Sequence, residues 1–549
     1  MRAKLLILFL FMSSRVLFSQ PETLIYHEIK TDASGKIVPW FSSDPGDAYS
    51  HVIQSVWRFW DTMRVDMNGL PYYMNHQVWT PGVDDTRGIG GDQLQMALSS
   101  WLLLYQYTGN ERVKENMKFM AGYYLTHGLS SSGSEWADIP YPYNTLIYSG
   151  IFDGDMVIGR NYTQPDKAGS FGLELVHLYK LTGTQRHGQT PAGIYLESAV
   201  NIANTLAKHM IEGNDTRSPL PFKVNAVTGE TGKLLSNNGD RSVASQSDYT
   251  TNWSGTMELF LELIKMNAGE TTLYQHALEN MLAWMKKYPL KNNKWGPFFE
   301  DVPGWSDTQI NAVTFAQFMM NHREQFTDWK SEVKGIFSWV YEKLGNIEWE
   351  KYGAIVVNEQ TAYQTPGNSH SSRQASAELQ YAALSGDPAY VSNAKRVLNW
   401  ATYMVDDDGK NCYPRDEVWM TDGYGDYVRH FLRAMSFSPG LAPADKNHLL
   451  SSTSVIQLME YPPNFNRFMA IDVPADKIKK ALVFYRTFDL TSTEVFRMTV
   501  KPSQIFVGNK EISELADQKS EGWSWKPLDT GGVLTVTHQD GNRILVMGK

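Results

Sequence analysis

Apolar positions recur at three- and four-residue spacing through most of the chain, the period of helices that bury one face. The pattern comes in pairs. Leu98–His127, Phe171–Met210 and Arg373–Val405 each read as an apolar helix, a short turn (TGN, TGT, SGD) and a second, amphipathic helix. The turn residues stop one helix and start the next. Thr256–Leu290 and Asn311–Leu344 are divergent copies, which makes five hairpins. Two helices are left over, Tyr49–Asp66 before the first hairpin and Tyr424–Phe437 after the fifth. If they pair, the count is six and the array closes on itself, with no apolar end left to cap. After Asn447 the texture changes to alternating apolar and β-branched runs (LVFYRTFD, TEVFRMTVKPSQIFVG, GVLTVTHQDGNRILVMG), with turn signals at Gly508-Asn509 and Asp540-Gly541. The expected division is 1–19 as a leader, 20–446 as a helical ring and 447–549 as a β-sandwich-like domain.

This arrangement resembles the (α/α)6 toroid of the six-hairpin glycosidase superfamily and of several polysaccharide lyases, over roughly residues 45–440. The resemblance is architectural, and no catalytic motif carries over. It implies a mainly α fold, an (α/α)6 toroid followed by a small C-terminal antiparallel β-domain, and a sugar as substrate.

The N-terminus reads as a secretory signal: Arg2 and Lys4, then an unbroken apolar run Leu5–Met12, then smaller residues up to Ser19. That run is too short for a membrane span, which needs about 20 residues. No later segment approaches that length, so a secreted or periplasmic protein without a membrane span is expected. The 549 residues carry a formal charge of −9, which argues against nucleic acid as partner. One cysteine, Cys412, leaves no disulfide framework and no cysteine-based zinc cluster.

In a toroid the first helix of each hairpin lines the centre, so all inner-helix N-termini open on one mouth. The segments ahead of those helices are long and rich in Gly, acids and aromatics, whereas the opposite turns are short and plain. They carry Trp79, Asp84, Asp85, Arg87 and Asp92; Trp136, Asp153, Asp155, Arg160, Asp166 and Lys167; Asp248, Tyr249, Asn252 and Trp253; Trp295, Trp305, Asp307 and Gln309; Glu359, Asn368, His370 and Arg373; Asp416, Trp419, Asp422, Tyr424 and Asp426. Six of the 17 tryptophans fall here, as expected of faces that stack on sugars. Each such residue has a plainer reading as a loop brace or helix cap.

Glycoside hydrolysis needs one protonated carboxyl and one carboxylate. The candidates are Asp85, Asp307, Glu359 and Asp422, with burial beside Trp305 or Trp419 favouring the acid role. β-Elimination from a uronic acid polymer would instead use His370 and Tyr249, with Arg373 on the substrate carboxylate. The substrate-binding set is Trp79, Arg87, Asp248, Asn252, Trp253, Trp305, Arg373, Trp419 and Tyr424. Acids outnumber bases in these loops, which ranks the hydrolase first, the lyase second and a non-catalytic glycan-binding protein third. GIGGDQ lacks the third glycine of a dinucleotide loop, and the acids of DDDGKNCYPRDE do not alternate as in a calcium loop. No cofactor and no catalytic metal is expected; a structural calcium held by loop carboxylates stays open. The expected partner is an oligo- or polysaccharide, and the oligomeric state is not set by these patterns.

Overall fold

The computed structural model describes the chain apart from residues 1–21, 64, 66–68, 76–89, 143–151, 156–157, 184–192, 233–246, 299–304, 412–413, 415–423, 463–478 and 517–519, and apart from the side chains of 72, 75, 90–93, 424 and 425. Twelve helices of 12–19 residues dominate the described residues: α1 Pro45–Asp61, α2 Gly90–Thr108, α3 Glu111–His127, α4 Pro165–Thr182, α5 Gly193–Lys208, α6 Ser254–Lys265, α7 Thr271–Lys287, α8 Gln309–Asn321, α9 Trp329–Leu344, α10 Asn368–Ser385, α11 Val391–Thr402 and α12 Tyr424–Phe437.

The even-numbered helices form a closed inner ring, in the order α2, α4, α6, α8, α10, α12 and back to α2, and each packs against an odd-numbered outer partner. The two unpaired helices do close the ring. Tyr49 on α1 donates its hydroxyl to Asn399 Oδ1 on α11 at 2.7 Å, and its ring meets Phe431 on α12 at 5.0 Å. The expected mainly α toroid is therefore the observed one.

Local chemistry explains the hairpins. Asn110 caps α3 by accepting from the Arg112 N–H, and Asp44 does the same for α1 from Asp47, with Pro45 in the first turn. Gly386 ends α10 in the left-handed region at φ 79°. The helical tryptophans Trp57, Trp60, Trp101, Trp284, Trp339 and Trp400 are all buried in one core, with Trp101 meeting Trp57 at 5.1 Å and Trp60 at 5.3 Å.

The C-terminal strands are β1 His448–Ser452, β2 Ile456–Glu460, β3 Ala481–Thr487, β4 Ser492–Met498, β5 Gln504–Val507, β6 Lys510–Ile512, β7 Gly522–Pro527, β8 Gly532–His538 and β9 Arg543–Met547. They form two antiparallel sheets, ordered β2-β3-β9-β5-β6 and β7-β8-β4-β1. Their facing sides share a second core containing Val483, Tyr485, Phe496, Leu534, Val536, Ile544 and Val546. Gly508 and Asp540 take φ 57° and 55° in the two expected turns.

This domain sits on the C-terminal ends of the first inner helices. Gln457 Nε2 donates to Lys180 O and Gly183 O at the end of α4, each at 2.7 Å. The His448 ring stacks on Tyr107 at 4.0 Å. At Gly109, φ 67°, a β-carbon would lie 2.4 Å from Met459 O. The turns that read as plain are thus short where the β-domain lands. No described helix is long and apolar enough to cross a membrane.

Candidate functional site: a chamber inside the helical ring

All six inner helices, and none of the outer ones, line one central chamber of about 340 Å³. Towards the mouth its wall includes Gln95, Asn252, Phe298, Ile310 and Arg373, with Arg429 beside Arg373 on Asp426; towards the far end it includes Glu174, Glu258 and Arg433. The far end is floored by Leu449–Ser452, strand β1 of the β-domain. Polar side chains thus face inward from helices whose other sides pack in the core, an arrangement suited to a polar ligand rather than to stability.

At the mouth, the segments ahead of α6, α8 and α10 are laced together. Thr308 bridges Gln360, Thr361 N donates to Asp307 O at 3.0 Å, and Gln309 N donates to Glu359 O at 3.1 Å. Asp307 and Glu359 therefore come from adjacent strands of backbone. Three N–H groups converge on the Asp307 carboxylate: Trp295 N at 2.7 Å, Gly296 N at 2.9 Å and Trp305 Nε1 at 2.8 Å. Trp305 touches Asp307 as a donor, not as an apolar wall, and is 43% exposed. Glu359 is buried and accepts from Gln360 Nε2 at 3.0 Å.

Tyr249 packs against Trp284 and Trp305, and its hydroxyl donates to Lys294 O at 2.7 Å. Burial, with Asp307 nearby, pushes that hydroxyl well above the usual tyrosine range. Asn252 reaches across to α4, where its Nδ2 donates to Asp166 Oδ2 at 2.8 Å. Asp248 is half-buried, and its carbonyl accepts from Ser218. Trp253 is fully enclosed and donates its indole N–H to Thr250 O at 2.8 Å. Of the four described mouth tryptophans, Trp136, Trp253 and Trp295 are buried and Trp305 alone is exposed. The expectation of a set of sugar-stacking tryptophans is corrected for these three: they pack the bases of the loops. Asp85, Asp422, Trp79, Arg87 and Trp419 lie outside the described residues, as does the side chain of Tyr424.

A second cluster sits between α10 and α12. Asp426 is paired with Arg373 from α10 and with Arg429 one turn along its own helix, accepts from Ser369 Oγ, and lies 3.1 Å from His430 Nε2. Arg373 Nη1 also donates to Gln309 Oε1 at 2.8 Å. His370 and His430 are buried beside these cations. Burial, followed by Arg373 and then His430, holds His370 well below the usual imidazole range, so its neutral form prevails.

Sequence reasoning placed Arg373 and Asp426 in the mouth segments but passed over Arg429 and Arg433. Their signal was available: YGDYVRHFLRAMSF places charges three and four residues apart on a helix expected to be inner. An inner helix has no solvent face, so such charges must meet each other or the chamber. Among the described residues no group of three His, Cys, Asp or Glu side chains converges as a metal site.

No family model matches this chain, and no curated protein matches it in sequence. Solved structures do. Cellobiose 2-epimerase from Spirochaeta thermophila superposes with TM-score 0.53 at 12% identity, covering 72% of this chain and 96% of the other. Cellobiose 2-epimerase from Bacillus thermoamylovorans gives 0.51 at 15% identity, covering 72% and 99%. A sugar epimerase from a ruminal bacterium gives 0.50 at 14% identity, covering 71% and 99%. At these identities the likeness is one of fold: the chain has the six-hairpin toroid architecture.

Proposed function

We propose that this protein is a secreted carbohydrate-active enzyme, a glycoside hydrolase whose substrate enters the ring from its mouth. The observation that carries the reading is the chamber, walled by polar side chains from all six inner helices and floored by the β-domain. A buried polar wall of this kind costs stability unless a ligand uses it. A floor at one end favours a short saccharide, or the end of a chain, over a polymer threaded through the ring.

The acid and base are drawn from mouth carboxylates. Asp85, Asp422 and Glu359 stay in the proposal, and Asp166 joins them. It is fully buried in the first turn of α4, held through Oδ2 by Asn252 and Lys167, with no hydrogen-bond partner at Oδ1 among the described residues. An unsatisfied buried oxygen beside a chamber residue is a place for a substrate hydroxyl. Asp307 is assigned to holding the mouth loops, because three N–H groups already occupy its carboxylate. Asn252, Arg373 and Trp305 are the proposed sugar contacts, and Trp253 is left out. The lyase reading has less support because Tyr249, one of its two candidate catalytic groups, donates its hydroxyl to Lys294 O. The leader 1–19, export and the division at 446/447 belong to the same proposal.

The test is incubation with a panel of neutral and uronic-acid-containing oligosaccharides, reading new reducing ends and near-ultraviolet absorbance together. Hydrolysis predicts reducing ends without absorbance. Absorbance would move the reading to elimination. An epimer of unchanged mass would move it to the reaction for which the three structures sharing this fold are named.

A further inference from the structure

The far end of the chamber holds more positive charge than the mouth reading required. Arg429 and Arg433 lie four residues apart on α12, hence on one helix face, and both line the chamber, Arg433 one turn further along the helix that packs against β1. Arg429 is shared with Asp426 through one nitrogen, and its Nε is buried without a hydrogen-bond partner among the described residues. Arg433 has no carboxylate within 4.0 Å among the described residues. The acids nearby are already engaged: Glu174 lies 3.1 Å from His177 Nδ1, and Glu258 lies 2.8 Å from His322 Nε2. Asp426 is shared between Arg373 and Arg429. One guanidinium fork therefore faces the chamber with no carboxylate in contact among the described residues, Glu174 acting on it only from beyond ion-pair distance.

We infer that the closed end of the chamber is a subsite for a single carboxylate, held by Arg433 with Arg429, and that the substrate is an acidic sugar carrying a uronate. This rests on the reading that a sugar occupies the chamber. The planar fork of arginine matches a carboxylate through two parallel bonds. Gln106, Ser436 and the Leu449–Ser452 strand line the same cavity and supply further polar groups for sugar hydroxyls. Supporting this, burial pushes Arg433 down to about 9, with the neighbouring Arg429 adding to the fall and Glu174 opposing it. The β-domain then has a role in recognition, since its first strand closes the subsite.

The test measures binding, not turnover, with the full-length protein and D-glucuronate, D-galacturonate, D-glucose and inorganic sulfate at matched ionic strength. The expected result is that a uronate binds at least about tenfold tighter than glucose. Arg433→Gln should abolish that preference, and Arg433→Lys should keep part of it. Arg433→Gln should also melt close to the wild-type temperature, because no ion pair within 4.0 Å among the described residues is lost with it. Should that variant fail to fold, the loss of preference is read from Arg433→Lys. Equal affinity for uronate and glucose, binding of neither, an unchanged preference in the variants, or sulfate binding as tightly as the uronates would each overturn the assignment. Cleavage of a neutral glycan without uronate preference would sink this subsite and spare the hydrolase. Uronate binding without any turnover would do the reverse.

Discussion

The guanidinium of Arg373 on α10 is paired with the carboxylate of Asp426 on α12, and both groups are fully enclosed. The pair ties two neighbouring inner helices together and holds one chamber-lining cation in place. Asp426 also serves Arg429, so its removal would strand two buried positive charges. Asp426→Asn should destabilise the fold by about 3–5 kcal/mol, the usual cost of breaking a buried ion pair from one side. Urea unfolding checks this; a loss under about 1 kcal/mol would mean that water already reaches the cluster.

Glu378 provides a pH signature. Burial raises its carboxyl from 4.5 to about 7, partly offset by hydrogen bonds from Gln374 and Tyr341. A carboxyl raised in the folded state binds more protons folded than unfolded between those two values. Its contribution to stability is therefore full below about 4.5 and is lost as pH rises through about 7. The span corresponds to about 3 kcal/mol. Glu378→Gln should remove this slope, so the variant should gain on the wild type as pH rises. Parallel stability curves for the two proteins would contradict the assignment.

Two tryptophans from the mouth segments should behave oppositely. Trp253 is fully buried and Trp305 is 43% exposed. Trp253→Ala should cost about 3–5 kcal/mol of stability through the cavity it leaves. Trp305→Ala should leave the melting temperature nearly unchanged and weaken glycan binding by about 1 kcal/mol. Thermal melts paired with binding isotherms separate the two cases.

The seat of the β-domain is equally exposed to test. Gly109 occupies the left-handed region and lies against Met459 O. Gly109→Ala should destabilise the protein, since a β-carbon there is strained by conformation and by contact at once. Gln457→Ala removes two hydrogen bonds to the end of α4 and leaves two buried carbonyls unpaired, at a cost of about 1–3 kcal/mol. Limited proteolysis should show the β-domain released earlier in both variants.

The ring was legible because its information is local. The 3.6-residue period of each arm and the TGN, TGT and SGD turns mark hairpins without tertiary knowledge, and two odd helices suffice to infer closure. The segments before α6, α8 and α10 stood out for the same reason, as long acidic and aromatic stretches ahead of inner helices, and these three are the ones found laced together. Individual roles were not. Trp253 and Trp305 look alike in sequence, yet one is core and the other rim, because burial depends on how the loops before α6 and α8 cross. Asp307 was a candidate acid, and its carboxylate accepts three N–H groups, a surrounding whose backbone donors leave no trace in the side-chain alphabet. The chamber arginines needed the inner-helix geometry to acquire meaning, and the docking of β1 as the chamber floor has no local signature at all.

The chemistry proposed for the chamber is hydrolysis of a glycosidic bond. The most direct test runs the reaction on uronic-acid-containing oligosaccharides in water labelled with heavy oxygen and weighs the products by mass spectrometry. Hydrolysis should give shortened products in which one labelled oxygen has been gained at the cleaved linkage. Products lacking the elements of water, an isomer of unchanged mass, or intact substrate across the whole panel would contradict it.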